Sequence, residues 1–402
     1  MTYDFTIIGA GIVGLSVGLS LIEKYGNCNI LILEKETSIA KHQTGRNSGV
    51  IHSGIYYEPG SLKAKLAKKG NEQMINFCKE YNIPYKVTGK LIVATKEHEL
   101  EDLKKLYIRG EKNGLKLEII NNQEIKKIEP HLKGIQGIKV QNTGIVDYKN
   151  VAQAFADIYK SKGGEILLNE KVIKINNNSS EVTLETSNKK KITTKYLINC
   201  SGLMSDVITK QSGIHTDLQI VPFRGEYYEL KKNKRHLVKN LIYPVPNPDF
   251  PFLGVHFTKM INGRVLIGPN AVLSLKREGY KKTSFNFKDS FTTLSYSGFW
   301  KLASKNLKMG LKEMYQSINK KEFVKNVQSF IPEITSKDLV PATAGVRAQA
   351  LKQNGSLVDD FYIIQEKNML HVCNAPSPAA TASIEIGQKI VDKMINQTYI
   401  SV

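Results

Sequence analysis

Apolar and polar positions switch between two periods along the first third of the chain. Residues 5–8 form a short apolar run, the pattern of a strand buried on both faces. Positions 12–25 carry apolar residues at helical spacing, and residues 30–33 return to a second buried strand ending in Glu34. A helix is predicted over 61–80, with Pro59-Gly60-Ser61 as its start signal. Residues 85–145 read differently, as a strand at 91–95, a charged helix near 97–113 and short strands around turns, the signature of an inserted second domain. A helix over 149–161, a strand at 165–168 and a hairpin-like region over 172–192 lead into an apolar strand at 196–200. The stretch 215–335 is strand-rich and then helical, and its most distinctive part is the proline-punctuated run at 243–251. The end of the chain returns to strand–turn–helix, closing with a helix from about 378 to 396.

The first turn carries the chemistry. Gly9-Ala10-Gly11-Ile12-Val13-Gly14 matches GxGxxG between a predicted strand and a predicted helix. Gly9 permits the tight turn, Gly11 removes the Cβ that would strike a pyrophosphate, and Gly14 lets the helix pack on the strand. The helix N-terminus then faces the phosphates. Glu34 lies 20 residues past Gly14, where a carboxylate accepts hydrogen bonds from an adenosine ribose. This unit specifies a dinucleotide and does not by itself separate FAD from NAD. Two later segments favour FAD. Residues 194–206 read as a returning strand with a turn at Ser201-Gly202, and Asn374 to Thr381 form a small-residue turn opening the last helix. Such a helix N-terminus suits the N1/O2 edge of a reduced flavin.

Composition narrows the class. At 402 residues the chain suits two interleaved domains, and 41% hydrophobic with 23% charged residues is a globular balance. No run approaches the ~20 apolar residues of a membrane span, and no basic leader precedes the first strand. Cys28, Cys78, Cys200 and Cys373 are widely spaced, which argues against disulfides and metal ligation and fits a reducing cytoplasm. The net charge is +20, yet only seven of 57 basic residues are Arg. Nucleic-acid readers lean on Arg, so solvated lysine from compositional drift is the first reading and an anionic membrane surface the second. No nucleic-acid partner is expected.

The run 42–64 (HQTGRNSGVIHSGIYYEPGSLKA) closely resembles the L-2-hydroxyglutarate dehydrogenase/oxidase family of D-amino-acid-oxidase-like flavoproteins. The likeness continues at 144–148 (GIVDY), 222–228 (PFRGEYY), 250–258 (FPFLGVHFT), 268–272 (GPNAV), 344–350 (AGVRAQA) and the turn 374–383 (NAPSPAATAS). It implies oxidation of L-2-hydroxyglutarate to 2-oxoglutarate on FAD, with electrons passed to a quinone or to oxygen. It further implies cofactor contacts at Gly9, Ala10, Gly11, Gly14, Glu34, Lys35, Thr44, Arg46, Asn47, Ser48, Gly49, Val50, Val172, Ser201, Gly202, Gly345, Pro378, Ala379, Ala380 and Thr381. One position departs: the family carries His where Arg46 stands. An arginine touching the flavin would raise its potential, whereas one that only holds the loop would change little.

Oxidising a 2-hydroxy acid needs a base, a hydride acceptor and cations for carboxylates. His52 and His256 are both candidates for the base. Arg347 and Arg224 are the candidate carboxylate clamps, since Arg binds carboxylates bidentately. Tyr57, with Tyr56 and Tyr243, is placed as a hydrogen-bond donor or pocket wall. The expected fold is α/β, a Rossmann-like FAD-binding domain (1–84, 146–214 and 336–402) interleaved with a β-rich α+β substrate domain (85–145 and 215–335). Oxidation of glycerol 3-phosphate or a secondary amine acid, and a catalytically silent flavin-binding protein, are the rival readings.

Overall fold

The computed structural model describes residues 2–178, 180–247 and 254–395. Part of the proline-punctuated stretch and of the 250–258 block (positions 248–253), and the end of the closing helix beyond 395, lie outside the described residues. The fold is mixed α/β, built on two large sheets.

The first sheet is mostly parallel around its centre. Thr2–Ile8 lies between Lys191–Asn199 and Ile30–Leu33, both parallel to it, and Glu165–Leu167 extends the Ile30–Leu33 side. On the other side Met369–Asn374 pairs in parallel with Lys191–Asn199. Phe5, Ile7 and Ile30 to Leu33 are essentially inaccessible to solvent. This explains the continuous apolar runs, because helices cover both faces of a parallel sheet. Ile12–Tyr25 and Ser383–Ile395 pack on each other, and Ile12–Tyr25 also packs on Tyr148–Ser161. Gly387 permits one contact: a Cβ there would lie 2.4 Å from Ser16 Oγ. The helix Leu62–Glu80 starts where the Ser61 side chain accepts the Ala64 N–H.

The second large sheet runs Leu339–Pro341, Tyr228–Leu230, Val265–Gly268, His256–Lys259, Leu241–Pro244, Lys90–Ala94, Gln136–Val140, Leu117–Asn121. Its pairings are antiparallel except for Leu241–Pro244 beside Lys90–Ala94. A smaller antiparallel sheet joins Leu218–Gly225 to Gly345–Lys352 and places Phe223 opposite Arg347. Asp206, on the helix Ser205–Gln211 that follows the returning strand, accepts two N–H groups of Arg277 (2.6 and 2.8 Å) and the Ile220 N–H. That buried bidentate pair ties the first sheet to the second region.

The last helix starts later than its sequence suggests, at Ser383 rather than near 378. Thr381 is held sideways by Tyr148 and by the strand Val50–Ile51, so residues 377–382 stay a turn in front of the helix. Among the described residues no helix is long and apolar enough to cross a membrane.

Candidate active site

The cradle for a dinucleotide forms where the first strand turns into the first helix. Gly9 has φ +107°, and a Cβ there would lie 2.7 Å from the Cys200 carbonyl oxygen. At Gly14 a Cβ would come within 2.0 Å of the Gly9 oxygen, so helix and strand touch only because both are glycine. Gly11 differs: its Cβ would meet only Thr44 Oγ1, at 3.4 Å. The protein needs no glycine there for its own packing, which is the mark of space kept for a ligand. The helix N-terminus carries no acidic residue in its first turn and no side-chain cap at Gly11. One of its N–H groups, that of Ile12, donates to Thr44 Oγ1, and the end keeps the partial positive charge that suits a pyrophosphate. Glu34 is nearly buried beside this turn, with its carboxylate accepting the N–H groups of Ala10 (2.9 Å) and Glu36 (3.0 Å). Its remaining lone pairs are available to ribose hydroxyls. The Glu34 carbonyl takes the Glu170 N–H, which brings the strand opening at Val172 to the same edge.

Four more segments converge next to that cradle. Asn47 donates to the Gln43 and Thr44 carbonyls and accepts the Gly49 N–H, fixing the loop that carries Ser48. Gly49 sits at φ +70°, with a Cβ position 2.5 Å from the Val146 oxygen. Gly345 approaches the same loop, its Cβ position 2.4 Å from the Arg46 oxygen. Ser201 Oγ donates to Asn199 Oδ1 at 2.6 Å, and Gly202 faces Gln43. The turn Pro378-Ala379-Ala380-Thr381 closes the ring, because Thr381 Oγ1 accepts the His52 N–H at 3.1 Å and meets Tyr148 Oη at 2.9 Å. These segments, distant in sequence, fit FAD as a group.

We infer a tyrosine-walled cavity beyond His52 from the partial exposure of side chains that lie deep in the fold. His52, Tyr56, Tyr57, Tyr227 and Arg347 lie deep in the fold yet keep accessible surface, as residues lining an internal space do. The Tyr57 hydroxyl lies near the Ser377 side chain of the closing turn. The His256 ring stacks on Tyr243, centroids 4.1 Å apart, and its Nδ1–H donates to the Gly254 carbonyl at 2.9 Å. Burial, with Arg347 and Lys90 nearby, pushes His256 down to about 4 despite that hydrogen bond. Burial, helped by Lys90 and His256, pushes His52 down to about 3. Both rings are therefore neutral at physiological pH, the form that accepts a proton. Burial also lowers Arg347, opposed by Tyr227 and Glu313.

Not every candidate joins this cavity. Arg224 is held by Glu226, with Nε and Nη2 donating to Oε1 at 3.0 and 2.8 Å, and Nη1 donates to the Lys281 carbonyl. Its charge is neutralised within the protein. Lys35 is likewise paired with Glu278 at 2.6 Å and Glu36 at 2.9 Å. The Arg46 guanidinium lies 3.8 Å over the Tyr280 ring, and its Nε donates to the Lys41 carbonyl. Lys90, by contrast, belongs to no motif of the sequence, and its ammonium lies among Tyr56, Tyr243 and His256. It is 2% exposed, and burial lowers its ammonium to about 7. Glu313, which interacts with Arg347, was equally silent.

Residues 4–393 match the model of the FAD dependent oxidoreductase (DAO) family. The chain is 49% identical over 394 residues to the L-2-hydroxyglutarate dehydrogenase of Indibacter alkaliphilus, covering 98% of each chain. It is 45% identical over 392 residues to that of Escherichia coli, covering 98% of this chain and 93% of that one. To the human mitochondrial L-2-hydroxyglutarate dehydrogenase it is 45% identical over 410 residues, covering 98% and 89%. Among solved structures, the FAD-bound L-alpha-glycerophosphate oxidase of Mycoplasma pneumoniae shares the fold, with TM-score 0.78, 21% identity and coverage of 99% and 96%. The chain belongs to the FAD dependent oxidoreductase family, and within it to that of the L-2-hydroxyglutarate dehydrogenases.

Proposed function

We propose that this protein oxidises L-2-hydroxyglutarate to 2-oxoglutarate. The reading is carried by the meeting of Arg347 and His256 in one tyrosine-walled cavity beside the flavin segments, in a chain whose sequence relatives are named for that substrate. Arg347 receives a substrate carboxylate, because a buried guanidinium offers a planar, bidentate donor pair. His256 acts as the base. Its Nδ1–H is engaged by Gly254, so Nε2 carries the lone pair that takes the C2 hydroxyl proton. His52, tied to the closing turn through its backbone, orients the hydroxyl from the other side. Tyr57 and Tyr243 exclude water and fix the carbon chain. FAD, which the first glycine turn, Glu34 and the turn before the last helix would hold, would supply the acceptor for the C2 hydride and the route for electrons to a quinone or to oxygen. Arg224 holds structure rather than substrate in this reading. Formation of 2-oxoglutarate in step with acceptor reduction is the expected result. Turnover of glycerol 3-phosphate or sarcosine, with L-2-hydroxyglutarate inert, would overturn it.

The same reading includes contact with an anionic membrane surface, where a quinone would be met. The helices Phe287–Leu294, Ser297–Lys305 and Leu307–Ile318 expose Phe287 (76%), Phe291 (64%), Trp300 (58%) and Ile318 (82%). Lys288, Lys301, Lys305 and Lys308 are exposed among them. Apolar side chains flanked by lysine are what a helix lying in an anionic interface presents. The expected result is co-sedimentation with phosphatidylglycerol vesicles that weakens when Phe287 and Ile318 become Asp. A wild-type protein that stays in the supernatant contradicts it.

A further inference from the structure

Lys90 is the one fully buried lysine among the largest such side chains, and it opens the strand Lys90–Ala94. Among the described residues no carboxylate lies within ion-pair distance of it, although carboxylates pair with lysines across the rest of the surface. Its ammonium instead lies over two aromatic faces, 4.4 Å from the Tyr56 ring centroid and 4.9 Å from that of Tyr243. Tyr243 in turn stacks on His256. A second observation points the same way: the Tyr56 hydroxyl is buried and has no hydrogen-bond partner among the described residues. An ammonium without an ion-pair partner and a phenol hydroxyl without a hydrogen-bond partner among the described residues thus lie together, one tyrosine ring away from His256.

Burying a cation without an anion is costly, and such sites persist where a ligand brings the missing charge. Cation–π contact with two tyrosines offsets part of that cost without neutralising the charge. Arg347, on the strand Gly345–Lys352 of the small sheet, supplies the other cation. His256 is the common neighbour, since both Arg347 and Lys90 act on its ring. The two cations therefore act on the imidazole from different sheets, and a dianion with one carboxylate on each would lie against it.

We propose that Lys90, with the Tyr56 hydroxyl, binds the second carboxylate of the substrate and so selects dicarboxylates over monocarboxylates. The proposal rests on the reading of this cavity as a 2-hydroxy-acid site with Arg347 at the other carboxylate. Lys90 is then a specificity residue, with the proton transfer left to the imidazole.

The test uses the FAD-loaded full-length protein and two substrates of equal chain length, L-2-hydroxyglutarate and L-2-hydroxypentanoate, which carries a methyl group in place of the second carboxylate. Lys90→Met is expected to raise the KM for L-2-hydroxyglutarate about 100-fold while moving kcat, and the KM for the monocarboxylate, by no more than about fivefold. Lys90→Arg retains the preference for the dicarboxylate, and Lys90→Gln repeats the methionine result if that variant does not fold with flavin. Equal losses of kcat on both substrates, with KM unmoved, would overturn the proposal and make Lys90 a proton-transfer group. Binding of the inert dianion glutarate, followed by the flavin absorbance, separates this from the substrate reading. If L-2-hydroxyglutarate does not reduce the wild-type flavin, the substrate reading fails. Glutarate binding lost in Lys90→Met then still supports the Lys90 site, and glutarate bound equally by both proteins, or by neither, overturns it.

Discussion

The His256 ring lies against Tyr243 with planes 18° from parallel, while its Nδ1–H is fixed on the Gly254 carbonyl. Stacking sets the plane of the imidazole and the carbonyl sets its tautomer, so the fold decides that the lone pair of the neutral ring is on Nε2. His256→Gln keeps the shape and removes the base, and is expected to slow flavin reduction by about 10²- to 10⁴-fold. The pH profile gives the sign. With the folded ring lowered to about 4, the base form persists through the ordinary histidine range and is lost only as pH falls through about 4. Stopped-flow reduction from pH 4 to 8 checks this, and an acid limb centred near 6.5 would contradict it.

Arg347 is expected to act on substrate without touching flavin retention. Removing one buried partner of a carboxylate pair typically costs 2–5 kcal/mol, so Arg347→Ala is expected to raise KM by about 30-fold or more while the purified protein keeps its yellow colour. Loss of flavin with unchanged substrate affinity would move Arg347 out of the cavity's chemistry. Arg224→Ala is the contrasting case, since it strands Glu226 and its effect falls on stability.

The two glycines of the first turn separate ligand space from packing space. Gly14→Ala drives a methyl group to within 2.0 Å of a backbone oxygen, and is expected to unfold the nucleotide domain. Gly11→Ala meets only a side-chain oxygen at 3.4 Å, so the apoprotein is expected to melt within a few degrees of wild type while its FAD content falls sharply. Equal thermal losses in both variants would refute the distinction.

Arg46, the position where the sequence departs from the motif it resembles, stacks its guanidinium on Tyr280. Tyr280 Oη in turn meets His42 Nδ1 at 2.5 Å. This arrangement braces the loop from its outer side, so Arg46→His is expected to shift the flavin midpoint potential by less than about 30 mV, a tenfold change for a two-electron couple. A larger shift would place the guanidinium's charge on the flavin.

The sequence was most readable where backbone geometry dictates residue type. The GxGxxG turn, Glu34 and the Ser61 cap each have a single steric or hydrogen-bonding cause, and each stands where its spacing put it. Pairing was not readable. Arg224 and Arg347 fall in equally distinctive segments, yet only the fold shows that Glu226 neutralises the first. Lys90 was hidden by composition, since one buried lysine cannot be told from the solvated majority of 50. The one available signal was its place at the head of the apolar run Leu91 to Ala94, where each following residue is buried. The last helix begins later than its pattern predicts for a tertiary reason, the lateral bonds of Thr381.

The central claim is that this cavity transfers hydride from the C2 of one dicarboxylate enantiomer to FAD. Anaerobic titration of the purified protein with L- and then D-2-hydroxyglutarate tests it most directly. The account predicts that the L-isomer bleaches the flavin absorbance in stoichiometric proportion and the D-isomer leaves it unchanged. Bleaching by glycerol 3-phosphate or sarcosine, with both enantiomers inert, would contradict it.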